Sequence, residues 1–137
     1  MLLSTLNHNV PDLTDNLVDQ LKRDPITNDM EFMVIDNGSS ENMANTTTHK
    51  LKENIYFGGG FNVILEYFLS SEHNYLAMLN NDLIFHGHNF VSNVLEEMKE
   101  NDSSVYSPSV INAEIQQCNW KQMYNWGSKS VREVRWI

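Results

Sequence analysis

The feature of this sequence that most constrains its fold is a repeated order of short apolar runs, each followed by a polar loop. Five runs have the length of a β-strand, and they cover residues 1–6, 32–35, 54–57, 75–79 and 105–106. Most of them are continuously apolar and do not alternate with polar residues. This pattern is typical of strands that are buried on both faces.

Segments with helical periodicity lie between these runs. Their apolar residues recur at a spacing of three or four and form three groups: Leu13, Leu17, Val18 and Leu21; Phe61, Ile64, Leu65 and Phe68; and Phe90, Val91, Val94, Leu95 and Met98. Asn9 is the expected N-cap of the first helix, Pro25 lies beyond its expected end, and glycines at 58–60 open the second. The alternation predicts an α/β fold, a three-layer α/β/α sandwich with a mostly parallel sheet.

Size and charge limit the class of protein further. With 137 residues, of which 41% are hydrophobic, the chain can bury one core, and we expect a single domain over residues 1–137. A net charge of -9 argues against a nucleic-acid surface, which would need clustered Lys and Arg. No apolar stretch approaches the roughly 20 residues of a membrane span, and no signal peptide is recognisable. We therefore expect a soluble cytoplasmic protein, and the lone Cys118 fits a reducing compartment.

Three of the strand-like runs end in polar residues that suit a ligand. His8 and Asn9 follow the first run, Asp36 follows the second, and the sequence Asn-Asn-Asp at 80–82 follows the fourth. Ligands of open parallel sheets bind outside the carboxyl ends of the strands, so these residues should converge on one crevice. A nucleotide fits them, because carboxylates and amides can hold a base and a ribose, and hard oxygen ligands favour Mg²⁺ or Mn²⁺ on the phosphates.

Other site chemistries receive little support. The three glycines are not a dinucleotide fingerprint, since a glycine would be needed at position 63, which is Val63. Ser39 and Cys118 lack an identifiable base for nucleophilic catalysis. The His-Gly-His sequence at 86–88 is a weak indication of a metal pair. Each polar cluster at a strand end, taken alone, is equally consistent with an ordinary turn.

The order of the motifs resembles that of glycosyltransferase family 2. Residues 32–40 (FMVIDNGSS) resemble the strand and "VDNGS" segment of that family, and residues 53–62 (ENIYFGGGFN) look like its "N-x-G-x-x-x-G-x-N" loop, although Phe57 replaces the first glycine. Residues 79–82 (LNND) are similar to the "LNxD" form of the D-x-D motif in rhamnosyltransferase-like members. Residues 105–116, which contain VYSP and IQ, resemble a further stretch downstream.

This resemblance implies a GT-A fold and an inverting glycosyltransferase that uses a UDP- or dTDP-sugar, as in polysaccharide biosynthesis. Leu6 and His8 would surround the base, Asp36 would accept a hydrogen bond from it, and Asn80 would contact the ribose or phosphate. Gly60 and Asn62 would form the floor. Asp82 would hold Mn²⁺ or Mg²⁺, and the binding would be weak or optional because Asn80 replaces the more common aspartate.

The resemblance also implies what the chain lacks. Residues 131–137 resemble the strand that leads into the acceptor region, so the catalytic base is expected beyond Ile137 and the donor domain is expected to be incomplete at its C-terminus. The acceptor would be a carbohydrate or glycolipid, and an uncovered last strand would favour a homo-oligomer. A non-catalytic nucleotide-binding or interaction module of the same fold is the alternative. A nucleotidylyltransferase is disfavoured, since residues 6–9 provide no glycine-rich phosphate loop.

Overall fold

The computed structural model describes residues 1–101 and 105–107 and has a parallel sheet between helices. The four strands are β1 (Leu2–Asn7), β2 (Glu31–Asp36), β3 (His49–Lys50) and β4 (Leu76–Leu79). The helices are α1 (Pro11–Leu21), α2 (Tyr56–Ser70) and α3 (Phe90–Glu100), and a 3-10 helix covers Pro25–Asp29. The chain divides into two compact units, Met1–Val91, which contains the whole sheet, and Ser92–Ile137. No helix in the described ranges is both long and apolar enough to cross a lipid bilayer.

All strand pairs in the described part of the chain are parallel, which confirms the predicted α/β architecture. The order across the sheet is β3-β2-β1-β4, so the chain moves from β1 to one side and then returns to add β4 on the other. In the β1–β2 register Leu2 lies opposite Glu31 and Asn7 lies opposite Asp36. Both of these strands therefore end at the same level of the sheet.

Alternate residues of β1 serve two different helices. Leu2, Met33 and Ile35 form a buried cluster with Phe61 and Ile64 of α2. Residues of odd number in β1 face the other side, because successive side chains of a strand point to opposite faces. On that side Thr14 of α1 donates a hydrogen bond to Asn7, and the buried residues of α1 are Thr14, Leu17, Val18, Gln20 and Leu21. The sheet is thus covered by helices on both faces.

Three of the predicted local features are wrong. The expected strand at 54–57 is instead a turn at 54–55 followed by the first two residues of α2, because the Asn54 side chain accepts a hydrogen bond from the Tyr56 amide. The third strand is His49–Lys50. Asn9 does not cap α1: its φ is 58°, and Val10 is the N-cap. Residues 105–107 form no strand. The predictions for residues 108–137, including the strand at 131–137, lie outside the described residues.

Candidate functional site

The site is built on the last residues of β1 and β2. Asn7 and Asp36 lie opposite each other, and both are 0% exposed. The Asn7 amide nitrogen donates to Asp36 Oδ1 at 3.0 Å. The Asn7 side-chain oxygen, Oδ1, accepts from Thr14 Oγ1 at 3.1 Å and from the Val10 backbone amide at 3.3 Å. One side chain therefore ties together the ends of two strands and the first turn of α1.

The same hydrogen-bonded series continues to the fourth strand. Asn81 follows β4, and its side-chain nitrogen donates to Thr14 Oγ1 at 3.0 Å. The side chains of Asp36, Asn7, Thr14 and Asn81 thus form a continuous series across the carboxyl edge of the sheet, which we call the polar chain. It runs from β2, past β1, to the turn after β4.

The loop after β2 closes over Asp36. Gly38 has a φ of +66°, and a Cβ atom there would lie 2.2 Å from the backbone carbon of Glu53, so only glycine fits this close approach. The turn brings the Ser39 amide to Asp36 Oδ2 at 3.2 Å. Ser39 Oγ accepts from the Asn9 amide at 2.9 Å, which joins this loop to the one after β1. Both carboxylate oxygens of Asp36 are hydrogen-bonded, and neither faces solvent.

His8 is exposed, yet its ring is held on both nitrogens. Nδ1 lies 3.0 Å from the Asn37 carbonyl oxygen, and Nε2 lies 3.1 Å from the Asn54 side-chain nitrogen. A carbonyl oxygen only accepts and an amide N–H donates, so these contacts select the neutral tautomer protonated at Nδ1. The Asn37 side chain itself bonds the Ile55 amide and the Tyr56 carbonyl oxygen. The start of α2 is thereby fixed beside His8.

Leu6, Gly60 and Asn62 lie on the α2 side of the sheet, away from the polar chain. Leu6 packs against the cluster that contains Phe61, and a Cβ atom on Gly60 would lie 2.7 Å from Leu6 Cδ1. Gly60 therefore permits close helix–strand packing. Asn62 is exposed on α2. The structure does not place the Leu6 and Asp36 side chains on the same face, because Asp36 shares the α1 face with Asn7.

Asn80 and Asp82 are exposed in the turn after β4. Within residues 1–101 and 105–107 no three His, Cys, Asp or Glu side chains are grouped so as to hold a metal ion. The oxygens of Asp82 and Asn80 are nevertheless of the type that Mg²⁺ and Mn²⁺ prefer. They suit a cation that takes its other ligands from a diphosphate, and they do not form a complete protein site.

The position of β1 marks where a ligand crevice is expected. Strand order reverses between β1 and β4, and in open α/β sheets ligands bind at such a switch point, outside the carboxyl ends of the strands. His8 follows β1 and the turn at 80–82 follows β4, so they lie on either side of it. Two strand spacings, about 10 Å, separate β2 from β4, which one nucleotide can span.

Sequence reasoning missed Asn7, Thr14 and Asn54 as members of this arrangement, and it placed Asn81 at the strand end without its bond to Thr14. Thr14 had a recognisable signal, because it shares the i, i+3, i+4, i+7 spacing of Leu17, Val18 and Leu21 and is therefore a polar residue on an apolar helix face. The other three are asparagines at the ends of elements, where a turn is the usual explanation. Their side-chain partners could not be inferred from position alone.

Comparison of the chain with protein-family models, with curated proteins and with solved structures found no match. The function must therefore be argued from the geometry of the carboxyl edge together with the motif pattern. Three loops and the start of α2 meet there: His8 contacts Asn37 and Asn54, and Asn9 contacts Ser39. Such a meeting of polar loops at one sheet edge is typical of a small-molecule site.

Proposed function

We propose that this chain binds the nucleotide of a nucleotide-sugar at the carboxyl edge of its sheet and acts as the donor-binding part of a GT-A type glycosyltransferase. One observation carries the proposal: the polar chain Asp36–Asn7–Thr14–Asn81 crosses the point where the strand order reverses. Burying amide and carboxylate groups costs free energy unless every one of them is hydrogen-bonded. If this edge of the sheet only had to be stable, apolar side chains would serve it better. The polar chain therefore supports a functional role for this edge.

The exposed residues on either side of the crevice are the groups that would contact the ligand. His8 offers a ring held in one tautomer beside the base, and Asn80 offers an amide to the ribose or a phosphate. Asp82 would hold a divalent cation together with the phosphate oxygens. When bound, Mn²⁺ or Mg²⁺ supplies positive charge that neutralises the diphosphate. The polar chain beneath them fixes the three loops in place.

Asp36 needs a local movement to reach a base. Its carboxylate is completely buried, with Oδ1 on Asn7 and Oδ2 on the Ser39 amide. The Ser39 bond is the longer of the two, 3.2 Å against 3.0 Å, and it belongs to a loop that is partly exposed at Ser39 and Ser40. A base N–H would replace the Ser39 amide at Oδ2 once residues 37–40 move. Until then, Asp36 positions Asn7.

The experiment that tests this function is thermal unfolding with added nucleotides. A ligand that binds only the native state at a concentration of 100 times its Kd stabilises that state by about 2.7 kcal/mol. We expect UDP or dTDP to raise the Tm, and Mn²⁺ to raise it further. Asp82→Asn should remove the additional effect of Mn²⁺ and keep the effect of the nucleotide alone. Asp19→Asn, at an exposed position of α1, is the matched control and should behave as wild type.

Two results would count against the proposal. No rise in Tm with UDP, dTDP or their sugar conjugates, at concentrations up to several millimolar, would exclude a donor site of useful affinity. An equal effect of Mn²⁺ on wild type and on Asp82→Asn would place the cation elsewhere, with His86 and His88 as the next positions to replace.

A further inference from the structure

Two consecutive aromatic side chains are exposed at the start of α2. Tyr56 is 79% exposed and Phe57 is 64% exposed. Phe57 is held by an edge-to-face contact with Phe61, whose ring centroid lies 4.5 Å away. The next residue is Gly58, around whose Cα there is open space. The first turn of this helix thus presents aromatic surface with no side chain of the following residue to cover it.

Tyr56 also has an unusual backbone conformation. Its φ is 61°, in the left-handed region that bulky residues rarely adopt. Three glycines follow at 58–60, so the chain has residues nearby that accept this conformation without strain. The strain falls on an aromatic residue instead. Its ring contributes little to the core at 79% exposure, so packing does not explain why a large side chain stands there.

Hydrogen bonds hold this strained turn against the candidate site. The Tyr56 amide donates to Asn54 Oδ1 at 2.8 Å, and the Tyr56 carbonyl oxygen accepts from the Asn37 side chain at 3.1 Å. The same two asparagines contact the two nitrogens of His8. Asn37 directly follows Asp36 in the chain. The backbone of Tyr56 is therefore fixed by the same two residues, Asn37 and Asn54, that hold the exposed imidazole.

We propose that Tyr56 is the stacking surface for the planar base of the bound nucleotide, with Phe57 shielding one side of it. This inference rests on the proposed function and specifies how that site recognises its ligand. A water-exposed aromatic ring gains by contact with another planar ring, and every nucleobase has such a face. Hydrogen bonds to the base edge can come from the amides and the imidazole nearby. Because the backbone of Tyr56 is already held by two hydrogen bonds, only its side-chain torsions lose freedom on binding.

The test separates two effects of Tyr56: the backbone strain, which lowers stability, and the proposed stacking, which raises the affinity for the base. Tyr56→Gly removes the ring and relieves the left-handed φ, so its Tm should equal or exceed that of wild type. Its affinity for UDP should fall about tenfold or more, because the base loses the aromatic face on which it stacks. Tyr56→Phe keeps the ring and should bind within about twofold of wild type. Thermal unfolding gives the Tm of each variant. Calorimetric titration with UDP, uridine and inorganic pyrophosphate gives the affinities.

Pyrophosphate, which has no base, should bind Tyr56→Gly and wild type equally. Tyr75→Ala removes another exposed tyrosine of the same unit and should leave UDP binding unchanged. Wild-type affinity of Tyr56→Gly for UDP would overturn the stacking role and leave the nucleotide site standing. An equal loss of UDP and pyrophosphate binding would also overturn it, since the effect would then be a general distortion. Failure of wild type to bind both UDP and dTDP would overturn the proposed function itself.

Discussion

Among single residues, Asn7 has the most demanding position. It is completely buried, it donates to Asp36, and it accepts from Thr14 and from the Val10 amide. An asparagine is suited to this position because it carries donors and an acceptor at once. Aspartate would lose the donor and bring a second carboxylate to about 3 Å from Asp36, where the two could not both ionise at low cost.

We expect Asn7→Ala to lower the free energy of unfolding by about 2–4 kcal/mol. The substitution removes a donor from the buried Asp36 carboxylate, and an unsatisfied buried group costs about 1–3 kcal/mol, more if it is charged. Thr14 keeps its longer bond to the Val10 carbonyl oxygen. Urea denaturation followed by circular dichroism measures the change. Asn28→Ala, at an exposed position of the 3-10 helix, is the control and should change it by less than about 0.5 kcal/mol. A loss in Asn7→Ala no larger than the control would mean that the polar chain adds nothing to stability.

The directions in which the side chains of the site point could not be predicted from the sequence. The second strand was expected to end at residue 35, but β2 includes Asp36. Once Asp36 belongs to the strand, it must face away from Ile35, toward α1 and Asn7. One residue of strand length therefore decides whether this carboxylate is a loop group open to a ligand or a buried group in a hydrogen-bonded series. Element ends are the least certain part of a sequence-based assignment.

At the scale of elements, α2 was anticipated from its periodicity and its opening glycines, and the strand before it was not. β3 has only two residues, both exposed, and it pairs with β2 through Ile35–His49 and Asp36–Lys50. Such a short pairing leaves no apolar run to recognise. Asn54 resembled the start of a strand because Ile55 to Phe57 are apolar. Its side chain instead bonds the Tyr56 amide and turns the chain into the helix.

Replacement of Gly38 and of Gly58 by alanine should have opposite effects on stability. At Gly38 the left-handed φ and the 2.2 Å approach to the Glu53 backbone leave no room for Cβ, so Gly38→Ala should cost about 3 kcal/mol or more. Gly58 lies in α2 with open space around it, so Gly58→Ala should stabilise the protein by about 0.5–1 kcal/mol. The Tm of both variants and of wild type gives the comparison. Equal effects of the two substitutions would contradict the conformation assigned to the loop after β2.

At the scale of the whole molecule, the class of fold followed from the sequence and the site followed only in outline. Buried strand-like runs that alternate with helices have few solutions other than a parallel sheet between helices. The convergence of residues at strand ends follows from that topology. Which side chains bond one another does not, because Asn7, Thr14 and Asn81 are brought together by register and by the angle of α1. The order of motifs supports the glycosyltransferase proposal, which stays a prediction.

A cluster at the opposite end of β2 should affect the dependence of global stability on pH. Tyr67 Oη donates to Glu31 Oε1 at 2.6 Å, and His73 Nε2 lies 2.8 Å from Oε2. The bond from Tyr67, and then that from His73, holds the pKa of the Glu31 carboxyl below its ordinary value of 4.5. The hydrogen bond from Tyr67 to Glu31 also raises the pKa of the Tyr67 phenol. A lowered carboxyl pKa in the folded state adds stability that is present above 4.5 and lost as pH falls through the folded value.

We therefore expect Glu31→Gln to be less stable than wild type at pH 6–7 by no more than about 1 kcal/mol, since the pair is partly exposed. The difference should shrink as the pH falls below 4.5. The raised phenol pKa acts at high pH. The stability that it adds is present below a pH of about 10 and is lost as the pH rises through the pKa of Tyr67 in the folded state. Urea denaturation at a series of pH values measures the free energy of unfolding of each protein, with the exposed Glu72→Gln as control. A difference that stays constant down to pH 3 would exclude the assigned cause.

The strand order also bears on the sequence of events by which the chain folds. β1 pairs with β2 across 29 residues, whereas its contacts with β4 join residues 73 apart, and closing the longer loop costs about 0.8 kcal/mol more in chain entropy. During synthesis β1, α1 and β2 leave the ribosome together, well before β4 is available to pair. The proposed nucleotide site lies at the switch point between β1 and β4, so this site is expected to be the last part of the sheet to assemble.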